Sequence, residues 1–158
     1  HYTLDEYKEL IRNLRARIPG CAVTTDIIAG FPGETDELFE ETLNTVKEIG
    51  FTHIHAFPYS KREGTPAAVM DNQVPEAVKK TRVALLNEQG SLGLQTFAAN
   101  LVGKPAEILI EREEDGWYEG FTNEYIHGRI KKGDAEYQIG DIVGGTVVSV
   151  DDEFVTIA

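Results

Sequence analysis

Cysteine is almost missing from this sequence: among 158 residues there is one, Cys21. A single thiol closes no internal disulfide and cannot supply the several thiolates that a structural zinc or an iron–sulfur centre takes from its protein. Basic residues are scarce as well. Fifteen Lys and Arg stand against 27 Asp and Glu, a formal net charge of −12, which argues against a purely electrostatic grip on nucleic acid. No apolar run approaches the roughly 18–20 residues of a membrane span. No basic leader precedes an apolar stretch either, so a cytoplasmic protein without a membrane partner is expected. Internal repeats and low-complexity tracts are absent too. The chain opens on His1 rather than Met, from which an excerpt of something longer is expected.

What is present is ordinary globular material, 41% hydrophobic and 9% aromatic, enough for a sizeable core in one or two domains. In the opening stretch, Thr3 and Glu6 are spaced as a capping box, with Tyr2 and Tyr7 at the flanking staple positions. Leu4, Tyr7, Leu10, Ile11, Leu14 and Ile18 follow at helical spacing until Pro19-Gly20, which predicts a helix over 3–17. "CAVTTDIIA" is short, β-branched and bounded by glycines, a strand over 21–29. A second helix starts at Thr35 and ends before Gly50, and "THIHAFPY" is the next strand. Strand, helix, strand within this interval is a βαβ unit with parallel strands.

Alternation along the two strands sorts their faces. Val23, Thr25, Ile27 and Ala29 share one side, with Ile54 and Ala56 on the matching side of the second strand. Thr24, Asp26, Ile28, His53, His55 and Phe57 take the other. An apolar face under helices and a more polar face opposite fit a β/α barrel, whose sites form at the C-terminal strand ends, here Gly30 and Pro58. An open doubly wound sheet, apolar on both faces, fits less well. A polar connection, "KREGTPAAVMDNQ", then leads to Pro75 and a helix to about 101, along which Val78, Leu85, Leu92 and Phe97 line one side despite Gly90 and Gly93. After Gly103 the texture changes to short alternating runs split by turn residues, five strands in all. The fold class is therefore α/β plus all-β, with a small antiparallel barrel of the OB-like type at the end. The domains are expected at 1–102 and 103–158, and the second carries 5 basic and 13 acidic side chains.

Locally, "GFPGET" makes a poor phosphate cradle. Lys and Ser/Thr do not follow its last glycine, and Glu34, Asp36 and Glu37 would repel an anion at that helix start. Thr35 as a helix cap with carboxylates near the positive end of the helix dipole is the plainer reading. "HIH" puts two imidazoles on one face, but without a third ligand nearby no metal site is expected.

"DIIAGFPGET", then "HAFPYSKREGTPAA", then "GFTNEYIHGRI" in a β-rich tail together resemble the C-terminal part of the radical S-adenosylmethionine methylthiotransferases, over essentially the whole chain. These enzymes insert a methylthio group into transfer RNA or, in one branch, a ribosomal protein. The resemblance implies that residues 1 to about 72 close a partial radical-SAM β/α barrel and that 103–158 form a TRAM domain, the family's RNA-binding module. It implies S-adenosylmethionine (SAM) and two [4Fe-4S] clusters in the parent protein and no cluster in this fragment, because the CxxxCxxC loop and the second cysteine set are not here. The fragment alone is then expected to be inactive. Of the strand pattern G-x-I-x-G-x-x-E, Ile28 and Gly30 are in place, Asp26 stands where glycine is common, and Glu34 is one residue late. The last barrel strand brings Phe57, Pro58 and Tyr59 to the segment that resembles the adenine shelf. These five residues, Ile28, Gly30, Phe57, Pro58 and Tyr59, are the implied cofactor contacts.

For substrate, Arg62 and Thr65 fall on "YSxRxGT" in a loop facing the site, where an arginine suits a carboxylate or phosphate. In the TRAM-like segment, Phe121 and Tyr125 are placed to stack unpaired bases of a tRNA anticodon stem-loop, and Lys104, Arg129, Lys131 and Lys132 to meet phosphates. "HAFPYSKREGTPAAVMDNQV" is most similar to the branch acting on threonylcarbamoyladenosine. The isopentenyladenosine branch is the alternative, and a non-catalytic RNA-binding module is the alternative of another class. Two parallel strands with one uncovered face and open edges are also expected to make the fragment self-associate, which light scattering would reveal.

Overall fold

The computed structural model describes residues 2–133, 135–151 and 154–158. The chain divides into two compact units, His1–Leu94 and Gln95–Ala158.

The first unit starts with helix α1, Leu4–Arg17, nucleated as its sequence demands. Thr3 accepts the Glu6 N–H, and the Glu6 carboxylate accepts the Thr3 N–H at 2.7 Å. That backbone hydrogen bond holds the Glu6 carboxyl below the ordinary carboxylate range. The Tyr2 and Tyr7 rings stack at 6.0 Å. Strand β1, Thr24–Ala29, leads through a turn to helix α2, Asp36–Ile49, capped by Thr35 and stopped by left-handed Gly50. Strand β2, His53–Pro58, lies parallel to β1 with Thr24 opposite His53 and Ala29 opposite Pro58. The long helix α3, Glu76–Ala99, follows a 3-10 turn at Pro66–Val69.

The face assignment holds residue by residue. Val23, Ala29 and Ile54 are buried with Ile11, Phe39, Val46, Ile49, Phe51 and Leu86 in one core, to which Ile27 and Ala56 add partly buried surface. Thr24, Asp26, Ile28, His53, His55 and Phe57 are exposed on the opposite side of the sheet.

Helix α3 departs from its expected face. Leu85 and Leu92 are 37% and 50% exposed, whereas Leu86 is completely buried together with Lys79, Arg82 and Gly90. The inward stripe therefore runs Lys79, Arg82, Leu86, Gly90, Gly93, at the 3-4-4-3 spacing of one helix face. Its glycines sit where α3 comes closest to β2. A Cβ on Gly90 would meet Ile54 at 3.3 Å, and one on Gly93 would meet the Phe51 carbonyl oxygen at 2.0 Å. Hydrophobicity alone picks the wrong side because the inner stripe trades bulk for approach and carries two charges.

The second unit is a closed barrel in the order β3-β4-β5-β7-β6, with β3 Pro105–Glu114, β4 Trp117–Thr122, β5 His127–Lys131, β6 Ile142–Val150 and β7 Val155–Ile157. The "KKGD" turn and the "DDEF" run include Asp134, Asp152 and Glu153, which lie outside the described residues. Ile108, Ile110, Val147, Val155 and Ile157 fill the interior. The pairings are antiparallel except β5 with β7, which run parallel. The exception is forced by topology. Directions cannot alternate all the way round a closed ring with an odd number of strands, so one neighbouring pair must match. A bulge between Ile110 and Arg112 in β3 faces Gly120 of β4.

Candidate functional site

The two strands of the first unit end side by side, Ile28 opposite Phe57 and Ala29 opposite Pro58, and Tyr59 N–H donates to Ala29 C=O at 2.8 Å. Ile28 and Phe57 are 58% and 52% exposed, an apolar shelf on the uncovered face of the sheet. Pro58 is exposed beside them. The other two expected cofactor residues are inside. Gly30 is buried, and Tyr59 is 8% exposed, edge-on to Phe31 at 5.3 Å, with a hydroxyl that has no hydrogen-bond partner among the described residues.

The turn after β1 is held from within. Gly30 takes φ +78°, a conformation that favours glycine. Its N–H donates to Glu34 Oε2 at 2.6 Å, Glu34 N–H donates to Phe31 C=O, and Gly33 N–H donates to Asn72 C=O. Arg82 reaches the same carboxylate oxygen at 2.7 Å, the Glu34 carbonyl at 3.1 Å and Asp36 Oδ1 at 2.7 Å. Glu34 therefore closes its own loop and faces α3. Neither Arg82 nor Lys79 emerged from the sequence. The signal available was the spacing of these two cations from Leu86 on one helical stripe.

Of the loop residues, Thr65 spends its hydroxyl on the Arg62 carbonyl at 2.8 Å, which tightens the turn. Arg62 is exposed, with no ion-pair partner for its guanidinium among the described residues. His53 and His55 stand 4.4 Å apart beside a groove of about 330 Å³ that Asn87 and Ser91 also line. Partial burial, and then the neighbouring His55, hold the His53 imidazole below the ordinary histidine range. Among the described residues no group of three or more His, Cys, Asp or Glu is gathered as metal ligands.

On the barrel, alternation along β4 and β5 sets one row of rings on the outer surface. Tyr125, 84% exposed and at φ +62°, lies 5.5 Å from Phe121. Phe121 lies 4.2 Å from His127, and His127 lies 6.0 Å from Phe154. The Arg129 guanidinium continues the row, 5.3 Å from the Phe154 ring centre and 4.4 Å from that of Trp117. His127, Phe154 and Trp117 are additions to the residues expected from sequence. The cations divide. Arg129 is paired with Asp151 and Lys132 with Glu113. The Glu113 hydrogen bond raises the Lys132 amine above the ordinary lysine value. Lys104 and Lys131 are exposed, with no ion-pair partner among the described residues.

No family model matches the chain. Curated relatives do. It is 41% identical over 147 residues, 90% of this chain and 32% of the relative, to the threonylcarbamoyladenosine tRNA methylthiotransferase MtaB of Bacillus subtilis. The chain belongs to the methylthiotransferase family. A second type within the family matches as well. The tRNA-2-methylthio-N(6)-dimethylallyladenosine synthase of Oceanobacillus iheyensis is 47% identical over 112 residues, covering 71% of this chain and 22% of the relative. Its namesake from Staphylococcus saprophyticus is 36% identical over an alignment of 171 residues, 98% of this chain and 33% of the relative. This methylthiotransferase chain thus spans about a third or less of the length of the curated relatives it matches.

Proposed function

We propose that this chain is the C-terminal part of a tRNA methylthiotransferase, and that the whole enzyme adds a methylthio group to threonylcarbamoyladenosine beside the anticodon. What carries the reading is the match to the Bacillus subtilis enzyme across 90% of the chain, joined to "HAFPYSKREGTPAAVMDNQV". The dimethylallyladenosine type is the second reading, favoured by its 47% identity over a shorter stretch.

In this reading the β1 and β2 strand ends form one wall of the SAM pocket. The fit is chemical: a flat, mostly apolar adenine suits the exposed shelf of Ile28 and Phe57 with Pro58 at its rim, and Gly30 and Tyr59 back that shelf from inside. When bound, SAM and the iron–sulfur clusters supply the methyl group and the radical chemistry. The single cysteine of this chain cannot ligate such a cluster, so those ligands belong to the rest of the protein. Arg62 is free to take a carboxylate or phosphate of the substrate, and Thr65 shapes its loop.

The barrel docks the anticodon stem-loop, with Tyr125 and Phe121 stacking on unpaired bases. Arg129 and Lys132 are already engaged by carboxylates, which leaves phosphate contact to Lys104 and Lys131. In an acidic barrel, stacking then outweighs charge. Tyr125→Asn, which tolerates the positive φ while removing the ring, should weaken binding of an anticodon stem-loop to the full-length protein about tenfold, since one base stack contributes roughly 1–3 kcal/mol. A filter-binding titration in which this variant matches wild type would remove Tyr125 from the interface.

The deciding experiment for the function is mass spectrometry of tRNA nucleosides from cells with and without the protein. Loss of the methylthio derivative of threonylcarbamoyladenosine alone is expected. Loss of only the dimethylallyl product would transfer the chain to the second reading, and no change in either would refute both.

A further inference from the structure

Two cations are buried in the first unit. Lys79 and Arg82 are each 4% exposed, one turn apart on the inner stripe of α3. Burying a charge is costly unless it is paired and hydrogen-bonded, and a Met or Leu at either position would cover the same helix surface without that cost. What the charges do is therefore informative.

Their polar contacts converge on the strand-end loops. Arg82 holds the Glu34 carboxylate, the Glu34 carbonyl and Asp36, while its guanidinium lies 5.2 Å from the Phe39 ring centre. Through Glu34 it fixes the N–H of Gly30, directly after β1. Lys79 serves both strands. Its Nζ donates to the Tyr59 carbonyl, directly after β2, at 3.0 Å and to Glu76 at 2.6 Å. Its stem fills the space beside Gly30, where a Cβ would come within 2.4 Å of Lys79 Cγ. One turn of α3 thus grips the end of each parallel strand from behind the shelf.

We propose that Lys79 and Arg82 are positioning residues that set the geometry of the strand-end mouth, Arg82 through the Glu34 loop and Lys79 through the Tyr59 backbone. This rests on the reading of that mouth as part of the SAM pocket. The cations touch no ligand. They hold Gly30 and Tyr59, which follow the Ile28 and Phe57 shelf side by side at the C-terminal ends of the two strands, at a fixed separation. A loop that is pinned before binding pays less ordering entropy when the ligand arrives.

The test uses the full-length, cluster-reconstituted protein with two readouts, the dissociation constant for SAM by equilibrium dialysis and hydrogen exchange at the Gly30 amide. Arg82→Met keeps the packing on Phe39 and removes the hydrogen bonds. It should raise the dissociation constant about tenfold and speed Gly30 exchange by a similar factor, and Arg82→Lys should recover part of both. Glu34→Gln, a milder change that still offers an acceptor to Gly30, should fall between wild type and Arg82→Met and serves if that variant fails to fold. Asp36→Asn, whose carboxylate is 92% exposed, should change binding less than about twofold. Wild-type binding and exchange in a folded Arg82→Met protein would overturn the proposal and leave the pocket reading standing. Failure of the wild-type protein to bind SAM would overturn both.

Discussion

Gly120→Ala should unfold the barrel at a markedly lower temperature than the wild-type chain. A Cβ at this position would lie 1.7 Å from the Leu109 carbonyl oxygen, 2.9 Å from its carbon and 3.1 Å from the Glu111 nitrogen. All three are backbone atoms. A flexible side chain could swing away, but the β3 backbone is tied on both sides, to β4 through this register and to β6 through the pairs from Pro105–Thr146 to Leu109–Ile142. The bulge between Ile110 and Arg112 is what presses β3 against Gly120. Overpacking typically costs 1–3 kcal/mol, and a clash between backbones belongs at the upper end. For a domain of this size each kcal/mol moves the midpoint by about 4–8 °C, so a fall of more than about 10 °C is expected. Trp117 is the sole tryptophan and lies on β4, so its fluorescence reports the barrel. Gly144→Ala, with nothing within 4 Å of the added carbon, is the control and should leave the midpoint nearly unchanged. An unmoved midpoint for Gly120→Ala would mean that the bulge yields easily and does not lock the β3–β4 pair.

In the first unit the corresponding test is a pair of substitutions of opposite outcome on one helix. Gly→Ala inside a helix gains about 1 kcal/mol from propensity alone. At Gly90 the new carbon would stand 3.3 Å and 3.4 Å from Ile54 atoms, a tight contact that roughly cancels the gain, and stability should change little. At Gly93 it would stand 2.0 Å from the Phe51 carbonyl oxygen. Phe51 is 3% exposed and lies two residues before the start of β2, so α3 must lift off the strand or the strand must move. Gly93→Ala should therefore lose about 1–3 kcal/mol net despite its better helix propensity. Urea unfolding followed by the helical far-ultraviolet signal separates the two. Equal midpoints for both variants would show that α3 does not seat tightly on β2.

Both glycines were visible in the sequence, and their role was not. A glycine in a helical pattern reads locally as a propensity cost, and only a neighbour's backbone a few ångströms away turns it into a requirement. The same reason explains the misplaced face of α3. Leu85 and Leu92 outweigh Lys79, Arg82, Gly90 and Gly93 on any hydrophobicity scale, yet the inner face was chosen by closeness to β2 and by the Glu34 and Tyr59 acceptors. On the barrel, Phe121 and Tyr125 stood out by motif. His127, Phe154 and Trp117 join them only because β4, β5 and the segment before β7 come together in space.

Local rules determined much of this protein. The capping box at Thr3, the cap at Thr35, the stop at Gly50 and the alternation that exposes Ile28, His53, His55 and Phe57 each depend on atoms within a few residues or on a period of two, and those signals survive in one dimension. The three ordered motifs also carried the family. The tertiary structure alone decided which cations are buried, which charged groups are already spent on Asp151 and Glu113, and which glycines admit no side chain. Those facts depend on pairings between residues well separated in the chain, such as Arg82 with Glu34 or Arg129 with Asp151, and chain spacing does not encode distances that only a folded backbone sets.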